Sequence, residues 1–314
     1  MNSLWITDPW DSLDHPNDTT LRLMEASSQL GHSVAWACSR SLRWSEGKVH
    51  ADVGVFRPKD RSLSVLRTRR PTSPPLRDMK LHEFAHIHYR VDPPIDLAYL
   101  QPLQMLAQAH PRAILNPASS LVLLSEKTIA QDLPEMSPRS LVSSDPSLLK
   151  AFIQREEVVI LKPLHSAQSR GIEKLSADDS PEWIHSHLKN ATEEFKRPIL
   201  LQEYLPEIMK SGETRLWFAG AQLVATAQKI PARGDFKIDM DQGSRLEKSK
   251  ISQQLKPRIE KISKWLSRHK IQLAAVDWIE GKITDFNITS PGLIVGMEKV
   301  LKQDLAKKII RHLQ

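Results

Sequence analysis

Asp277, Asp285 and Asn287 are the residues whose types and spacing best match a chemical task. An apolar run, Leu273 to Val276, delivers Asp277. Glu280-Gly281-Lys282 reads as a tight hairpin turn, and a second strand presents Asp285 and Asn287. Side chains on a strand alternate faces, so Asp285 and Asn287 point one way while Phe286 enters the opposite layer. Asp277 on the partner strand reaches the same face. Two carboxylates and an amide oxygen are hard oxygen ligands, suited to Mg²⁺ (or Mn²⁺) bridging nucleotide phosphates. The bland alternative is a hairpin with polar residues on a solvated face. The rest of the chain decides between them.

The elements that must position these groups follow from pattern. Leu4 to Thr7 is a short apolar strand with the turn residues Asp8-Pro9 after it. Asp18-Thr19-Thr20 caps a helix running to about Leu30, where Gly31 stops it, and Val34 to Cys38 returns as a strand. Strand, helix and strand at this spacing form a βαβ opening. Phe84 to Tyr89 reads as another strand, followed by a helix to about Ala109 and a strand at Ala113-Ile114-Leu115. These elements make a first α/β domain. A helix around Leu121 to Gln131 leads into a second unit with buried-strand patterns at Val158 to Leu161 and Ile199 to Gln202. Thr214 to Ala219 and Leu223 to Ile230, split by Gly220, read as a hairpin. Leu255, Ile259, Ile262 and Leu266 line one face of a long helix, and Val300, Leu301, Leu305, Ile309 and Leu313 make a single closing amphipathic helix.

Composition narrows the class. A chain of 314 residues suits two or three packed subdomains. One cysteine, Cys38, rules out an internal disulfide framework and fits a reducing compartment. The first eight residues lack the basic start and apolar core of a signal peptide, and no run approaches the ~20 apolar residues that span a bilayer. The expectation is a cytoplasmic protein with no membrane partner. The net charge of +7 invites a nucleic-acid reading, but it is concentrated between Arg57 and Lys80. That segment carries Pro58, Pro71, Pro74 and Pro75 and no aromatics for base stacking, so it reads as a solvated basic loop and no nucleic-acid partner is expected.

His82-Glu83-Phe84-Ala85-His86 matches the zincin pattern, in which two His four apart on a helix bind Zn²⁺ beside a catalytic Glu. The segment reads instead as a strand, on which His82 and His86 would stand ~13 Å apart, too far to share a metal. No zinc is expected.

The chain as a whole resembles prokaryotic glutathione synthetase, an ATP-grasp ligase. The resemblance is carried by Asp8-Pro9, Arg90-Val91-Asp92-Pro93-Pro94, Asn116-Pro117, Glu126-Lys127, Leu161-Lys162-Pro163-Leu164, Gln202-Glu203-Tyr204-Leu205-Pro206 and Asp285-Phe286-Asn287-Ile288-Thr289-Ser290-Pro291, in this order and nearly end to end. It implies an α/β architecture of ATP-grasp type in three parts. Residues 1–120 would form an N-terminal Rossmann-like domain, 121–198 a small subdomain with a phosphate-covering loop, and 199–314 a C-terminal subdomain with the adenine and metal sites.

The resemblance also implies roles. Lys127 and Lys162 fall where the family places phosphate-contacting lysines. Gln202 belongs to the nucleotide-binding stretch in which Glu203, with backbone groups at Tyr204 and Leu205, meets the adenine. Glu213 and Arg215 match a ribose and a phosphate contact, and Asp277, Asp285 and Asn287 would hold the metal. Arg90, Lys162 and Arg215 would carry catalysis, with Arg90, Lys229 and Ser290 on the substrates. The implied reaction activates a peptide carboxylate with the γ-phosphate of ATP as an acyl phosphate, which an amine then attacks. The expected substrates are a γ-glutamyl dipeptide and an amino acid (glycine), and the family expectation is a homodimer or tetramer.

The departures fall around the substrates. The family's glycine-rich lid here reads His165-Ser166-Ala167-Gln168-Ser169-Arg170-Gly171, with one glycine, so Arg170 is a candidate to supply charge instead. Asp239 and Asp241 stand where the family is neutral, Asp285 replaces a longer Glu, and Lys229 and Val295 stand where arginines are expected. These changes keep two alternatives open: a ligase of the same chemistry with another peptide or amine, and a catalytically silent nucleotide-binding homologue.

Overall fold

The computed structural model describes residues 2–56, 74–166, 169–249 and 251–313, arranged on three sheets. The first sheet carries β1 (Asn2–Thr7), β2 (Ser33–Cys38), β3 (Arg43–Ser45), β4 (Lys48–Phe56), β5 (Leu76–Lys80), β6 (His86–Tyr89) and β7 (Ile114–Leu115). Its order is β3-β4-β2-β1-β6-β7, with β5 against β4. β1, β2, β6 and β7 run parallel, and an antiparallel extension begins where β4 pairs with β2. Helix α1 (Thr19–Gln29) joins β1 to β2, its first turn capped by the Asp18 carboxylate, which accepts from Leu21 N–H. From β1 the chain steps to β2 on one side, while β6 lies on the other. A crevice therefore opens beyond the carboxyl ends of β1 and β6, the position where α/β sheets bind ligands. Asp8, Arg90 and Asp92 stand there.

Two expectations in this domain change. Leu81–Glu83 is a 3₁₀ turn closed by Phe84 N–H on Leu81 O, so the strand begins at His86, not at Phe84. His82 therefore is not on that strand, and its ring stacks on His110 with 6.0 Å between centroids. Of the basic segment, residues 57–73 lie outside the described residues, and Arg77 and Lys80 sit on β5.

Helix α2 (Leu97–Ala109) covers the first sheet, and α3 (Ala118–Leu123) follows β7. The helix expected at Leu121–Gln131 does not form. Leu124 is extended, and helical geometry resumes only as a 3₁₀ turn at Ile129–Asp132. The interruption places Glu126 and Lys127 in the wall of the cleft described below.

The second sheet holds β8 (Ser140–Ser143), β9 (Val158–Pro163), β10 (Glu173–Ser176) and β11 (Ile199–Glu203), ordered β10-β9-β11-β8. Helices α4 (Pro146–Glu156) and α5 (Pro181–Ala191) supply Leu149, Phe152, Ile153, Ile184 and Leu188 to its own core, against Val159, Leu161 and Leu201. The boundary expected at 198/199 falls inside this sheet, because β11 pairs with both β8 and β9.

After α6 (Ile208–Ser211) comes the antiparallel third sheet: β12 (Glu213–Ala219), β13 (Gln222–Ile230), β14 (Arg245–Lys248), β15 (Leu273–Ile279) and β16 (Lys282–Asn287), ordered β14-β13-β12-β15-β16. The β15–β16 turn places Glu280 at φ 48° and Gly281 at φ 86°, the left-handed pair that matches strand twist in two-residue hairpins. Helix α7 (Lys256–Arg268) lays Ile262, Trp265 and Leu266 on the sheet. The single closing helix expected from the apolar spacing is two helices, α8 (Ile294–Leu301) and α9 (Leu305–His312). Lys302 turns left-handed at φ 56°, and Asp304 caps the second. Residues of the first and third sheets share their cores: Leu4, Ile87 and Leu103 join Ile262, Trp265 and Phe286 in one, while Trp5, Leu23 and Trp36 join Trp217 and Ile309 in the other.

Candidate active site in the cleft

The register of the third sheet sets out the site. Asp277 lies opposite Asp285, and Ala275 opposite Asn287, so both carboxylates and the amide share one face. Asp277 also pairs with Arg215 on β12, and Glu213 with Lys229 on β13, which extends the row of charges across four strands. These groups line a cleft of about 1080 Å³ together with Lys127, Lys162, Gln202, Glu203, Tyr204, Leu205, Arg90 and Ser290. Every residue singled out from the sequence for this chemistry meets there.

The charges are interlocked. Arg215 donates from Nε to Asp277 Oδ1 at 2.9 Å and from Nη2 to Oδ2 at 2.6 Å, a bidentate pair. Lys229 Nζ lies 2.8 Å from Asp277 Oδ2 and 2.5 Å from Glu213 Oε2. Burial alone would push the Asp277 carboxyl up. Arg215 and Lys229 outweigh it and hold the group well below the usual carboxylate range. Burial likewise opposes the charge on Arg215, yet Asp277 raises its pKa above the ordinary value. Thr284 Oγ1 donates to Glu213 Oε1.

Lys127 donates to both oxygens of Asp285, at 2.9 and 2.8 Å. Lys162, buried, donates to Gln202 Oε1 at 2.9 Å and Thr284 O at 2.7 Å. Gln202 thus positions a lysine. Two neutral oxygens cannot offset the loss of water, and burial lowers the Lys162 pKa to about 8.

Asn287 Nδ2 donates to Ala275 O at 3.2 Å, and Asn287 itself lines the cleft. Asp277, Asp285 and Asn287 each carry a side-chain oxygen of the hardness a divalent cation beside phosphates requires, so these residue types fit such an ion.

At the other end of the cleft, Glu203 is held by Arg139 Nη2 at 2.6 Å and by Lys282 Nζ at 2.5 Å. The Glu203 and Tyr204 N–H groups donate to Arg139 O and Val158 O. Phe236 stands edge-on to Tyr204 with 6.3 Å between centroids, and the Lys174 ammonium lies over both rings at 5.3 and 5.5 Å.

The cleft also reaches the crevice of the first sheet. Arg90 donates to Thr20 Oγ1 and Pro291 O, each at 2.8 Å, and burial lowers its pKa to about 10. Ser290 Oγ donates to Asp92 Oδ1, and Asp92 N–H donates to Asp8 Oδ2 at 2.8 Å. Of the segment expected to form the lid, residues 167–168 lie outside the described residues; on either side of them Ile95 N–H donates to His165 O at 3.3 Å, and Ser169 Oγ to Ile238 O at 3.0 Å. Burial raises the Asp92 pKa above its ordinary value, against the Ser290 hydrogen bond and the charges of Arg90 and, last, Arg170. Val295 is buried on α8.

Several residues at the site had no assigned role in the sequence. Glu126 Oε1 accepts from Ile288 N–H, Thr289 N–H and Thr289 Oγ1, and Asn116 bonds Leu273 O and Ile288 O through Nδ2. Their motifs, Glu126-Lys127 and Asn116-Pro117, were visible. Their partners lie more than 150 residues away in the chain, and spacing carries no signal at that range.

Comparisons of sequence with known proteins agree on one family. The prokaryotic glutathione synthetase ATP-grasp domain matches residues 126–302, and the N-terminal domain of the same family matches residues 1–121. The glutathione synthetase of Synechococcus elongatus is 28% identical over 302 residues, covering 93% of this chain and 91% of its own. That of Bradyrhizobium diazoefficiens is 23% identical, covering 96% and 94%. Among solved structures, the D-cycloserine synthetase DcsG superposes with a TM-score of 0.65 at 12% identity, covering 99% of this chain and 100% of that one. The ATP-grasp ligase PsnB, complexed with a phosphomimetic precursor variant, Mg and ADP, gives 0.61 at 15%, covering 100% and 98%. At such identities these structures bear on the fold alone, which is ATP-grasp.

Proposed function

We infer the following reaction for this chain, which belongs to the prokaryotic glutathione synthetase family. It is an ATP-dependent C–N ligase that joins a γ-glutamyl dipeptide to glycine. The observation that carries the residue assignments is the row Arg215–Asp277–Asp285 on one face of the third sheet, lined up with Lys127 and Lys162 in a single cleft.

ATP is the nucleotide substrate, with its phosphates against Lys127, Lys162 and Arg215 and its adenine toward Tyr204 and Leu205. Three cationic groups beside a polyphosphate offset its charge and leave the γ-phosphorus open to a carboxylate. A divalent cation held by Asp277, Asp285 and Asn287 supplies further neutralisation of the phosphate oxygens, and Mg²⁺ or Mn²⁺ suits the all-oxygen donors. Glu213 lies at the ribose.

The dipeptide enters by the crevice of the first sheet, where Arg90 and Ser290 face the cleft. Its carboxylate oxygen attacks the γ-phosphorus and ADP leaves, giving an acyl phosphate. Arg215, fixed by Asp277, stabilises the charge that develops on the transferred oxygens. The acceptor amine then attacks the acyl carbon and inorganic phosphate departs. No side-chain nucleophile takes part, and Cys38 lies outside the cleft lining.

A cytoplasmic location and a homodimeric or tetrameric state complete the reading. The lone free cysteine supports the first, and among the described residues no helix is long and apolar enough to cross a membrane. Light scattering decides the second.

The experiment is ADP release by purified protein over a panel of γ-glutamyl dipeptides and amino acids, with mass spectrometry of the products. Turnover with γ-glutamylcysteine and glycine supports the reading. Turnover only with another pair changes the substrates, and no ADP with any pair removes the ligase assignment.

A further inference from the structure

Glu126 and Lys127 are consecutive residues in the break between α3 and the 3₁₀ turn, and they grip opposite ends of one short segment. Lys127 holds the Asp285 carboxylate. Glu126 takes three hydrogen bonds on a single oxygen, Oε1: Ile288 N–H at 2.6 Å, Thr289 N–H at 2.8 Å and Thr289 Oγ1 at 3.0 Å. The carbonyl of Ile288 is held by Asn116 Nδ2 at 2.7 Å. Both backbone groups of the residue directly after Asn287 are thus fixed by side chains from the first domain and its linker.

A carboxylate buried this deeply is costly unless it is bonded, and burial raises its pKa. Its partners here are chiefly backbone N–H groups just past the end of β16. After Asn287 the ladder of the sheet stops, so without Glu126 the Ile288 and Thr289 N–H groups would be buried and unpaired.

We propose that Glu126 is a positioning residue for the cation-binding face: by clamping Ile288 and Thr289 it fixes the orientation of Asn287 and Asp285 toward the divalent cation. The three hydrogen bonds it accepts come from the chain itself. The proposal rests on the assignment of Asp277, Asp285 and Asn287 as that face.

The bonding pattern gives a discriminating test, because all three bonds end on one oxygen. Glu126→Gln keeps an acceptor oxygen there, and Glu126→Ala removes it. Titration of Mg²⁺ against the protein at fixed ADP, by calorimetry, reads the apparent metal affinity. Glu126→Ala is expected to lose roughly tenfold or more of it, the usual effect of removing a group that orients metal ligands. Glu126→Gln stays near the parent, and saturating Mg²⁺ restores nucleotide binding to both. Thr289→Val, which deletes one of the three bonds, gives a smaller loss in the same direction and serves if Glu126→Ala does not fold. Unchanged metal affinity in Glu126→Ala, or in Thr289→Val where Glu126→Ala does not fold, overturns the proposal. So does equal damage from Glu126→Gln, which would place the effect in the charge. Asp285→Ala measured in parallel separates the two readings. If it too leaves metal dependence intact, the cation face itself is misplaced.

Discussion

Lys127 donates to both carboxylate oxygens of Asp285, so the side chain proposed for phosphate occupies the side chain proposed for the cation. The same arrangement recurs at Asp277, which Arg215 and Lys229 hold together. In this state the protein's own cations neutralise the face. A divalent ion arriving alone must displace them, and a nucleotide arriving alone must draw them from their carboxylates. Arriving together, the ion takes the carboxylates while the phosphates take the cations.

Metal and nucleotide binding should therefore be strongly coupled. Site-to-site coupling typically amounts to about 1–3 kcal/mol, or roughly 5–150-fold in affinity. Calorimetry should find weak binding of Mg²⁺ alone and of ADP alone, and tight binding of the two together. Lys127→Met should bind Mg²⁺ alone more tightly than the parent while binding ADP less well. No gain in metal affinity in that variant would show that the Lys127–Asp285 pair does not act as a lock.

What was legible in the sequence and what was not divide along a physical line. The β15–β16 hairpin was readable because Leu273–Val276, Glu280-Gly281 and the alternation at 285–287 are local signals. Val300 through Leu313 reads as one helix because its apolar spacing carries through a break made by a left-handed Lys302 and an Asp304 cap. The helix expected at Leu121–Gln131 failed for a long-range reason: Glu126 and Lys127 find partners near residues 285–289, and those bonds outweigh local helix propensity. An apolar strand such as Ile199–Glu203 does not declare which sheet it joins. Among site residues, oxygen and cation chemistry could be read from residue types. The tie from Lys229 to Glu213 and Asp277 needed the register of three strands.

Lys162 should set an alkaline limb on activity. Burial lowers its pKa to about 8, so the free enzyme loses this phosphate-facing charge as pH rises through 8. Since kcat/KM reports the free enzyme, kcat/KM for ATP should fall above that point. Lys162→Arg, charged at any accessible pH, should remove the limb even if overall activity drops. The stability effect has the opposite direction. An unfolded lysine keeps its proton to about 10.4, so between about 8 and 10.4 the unfolded chain binds more protons and this residue's contribution to stability rises with pH. A kcat/KM profile flat to pH 9.5 would contradict the assignment.

His88 should make the fold acid-sensitive. Its ring is buried and stacked on Trp5 at 3.6 Å, and burial holds its pKa well below the ordinary value. Below about pH 6.5 the unfolded chain takes up a proton that the folded chain refuses, so stability is lost as pH falls, by at most about 1.4 kcal/mol per pH unit. Urea unfolding at pH 7.0, 6.0 and 5.5 should show this slope, and His88→Phe should flatten it. An unaltered slope in that variant would place the titrating group elsewhere.

The acceptor site is where this chain should differ most from its relatives. Lys229, expected to hold the acceptor carboxylate, has its ammonium on Glu213 and Asp277, and Val295 is buried with no polar group to offer. Neither supplies the planar two-donor grip with which arginine holds a carboxylate. Glycine should accordingly bind weakly, with a KM raised by roughly tenfold or more for the loss of one charged hydrogen-bonded contact. Lys229→Met then distinguishes the two roles open to that residue. If Lys229 serves the Asp277 row, the variant leaves two buried carboxylates short of a cation and loses about 3–5 kcal/mol of stability. Its KM for ATP should rise, while its KM for glycine stays within roughly threefold of the parent, since uniform substrate binding there is untouched. A variant of normal stability with only the glycine KM raised would return Lys229 to the acceptor, and the ion pairs with Glu213 and Asp277 would then give way when glycine binds.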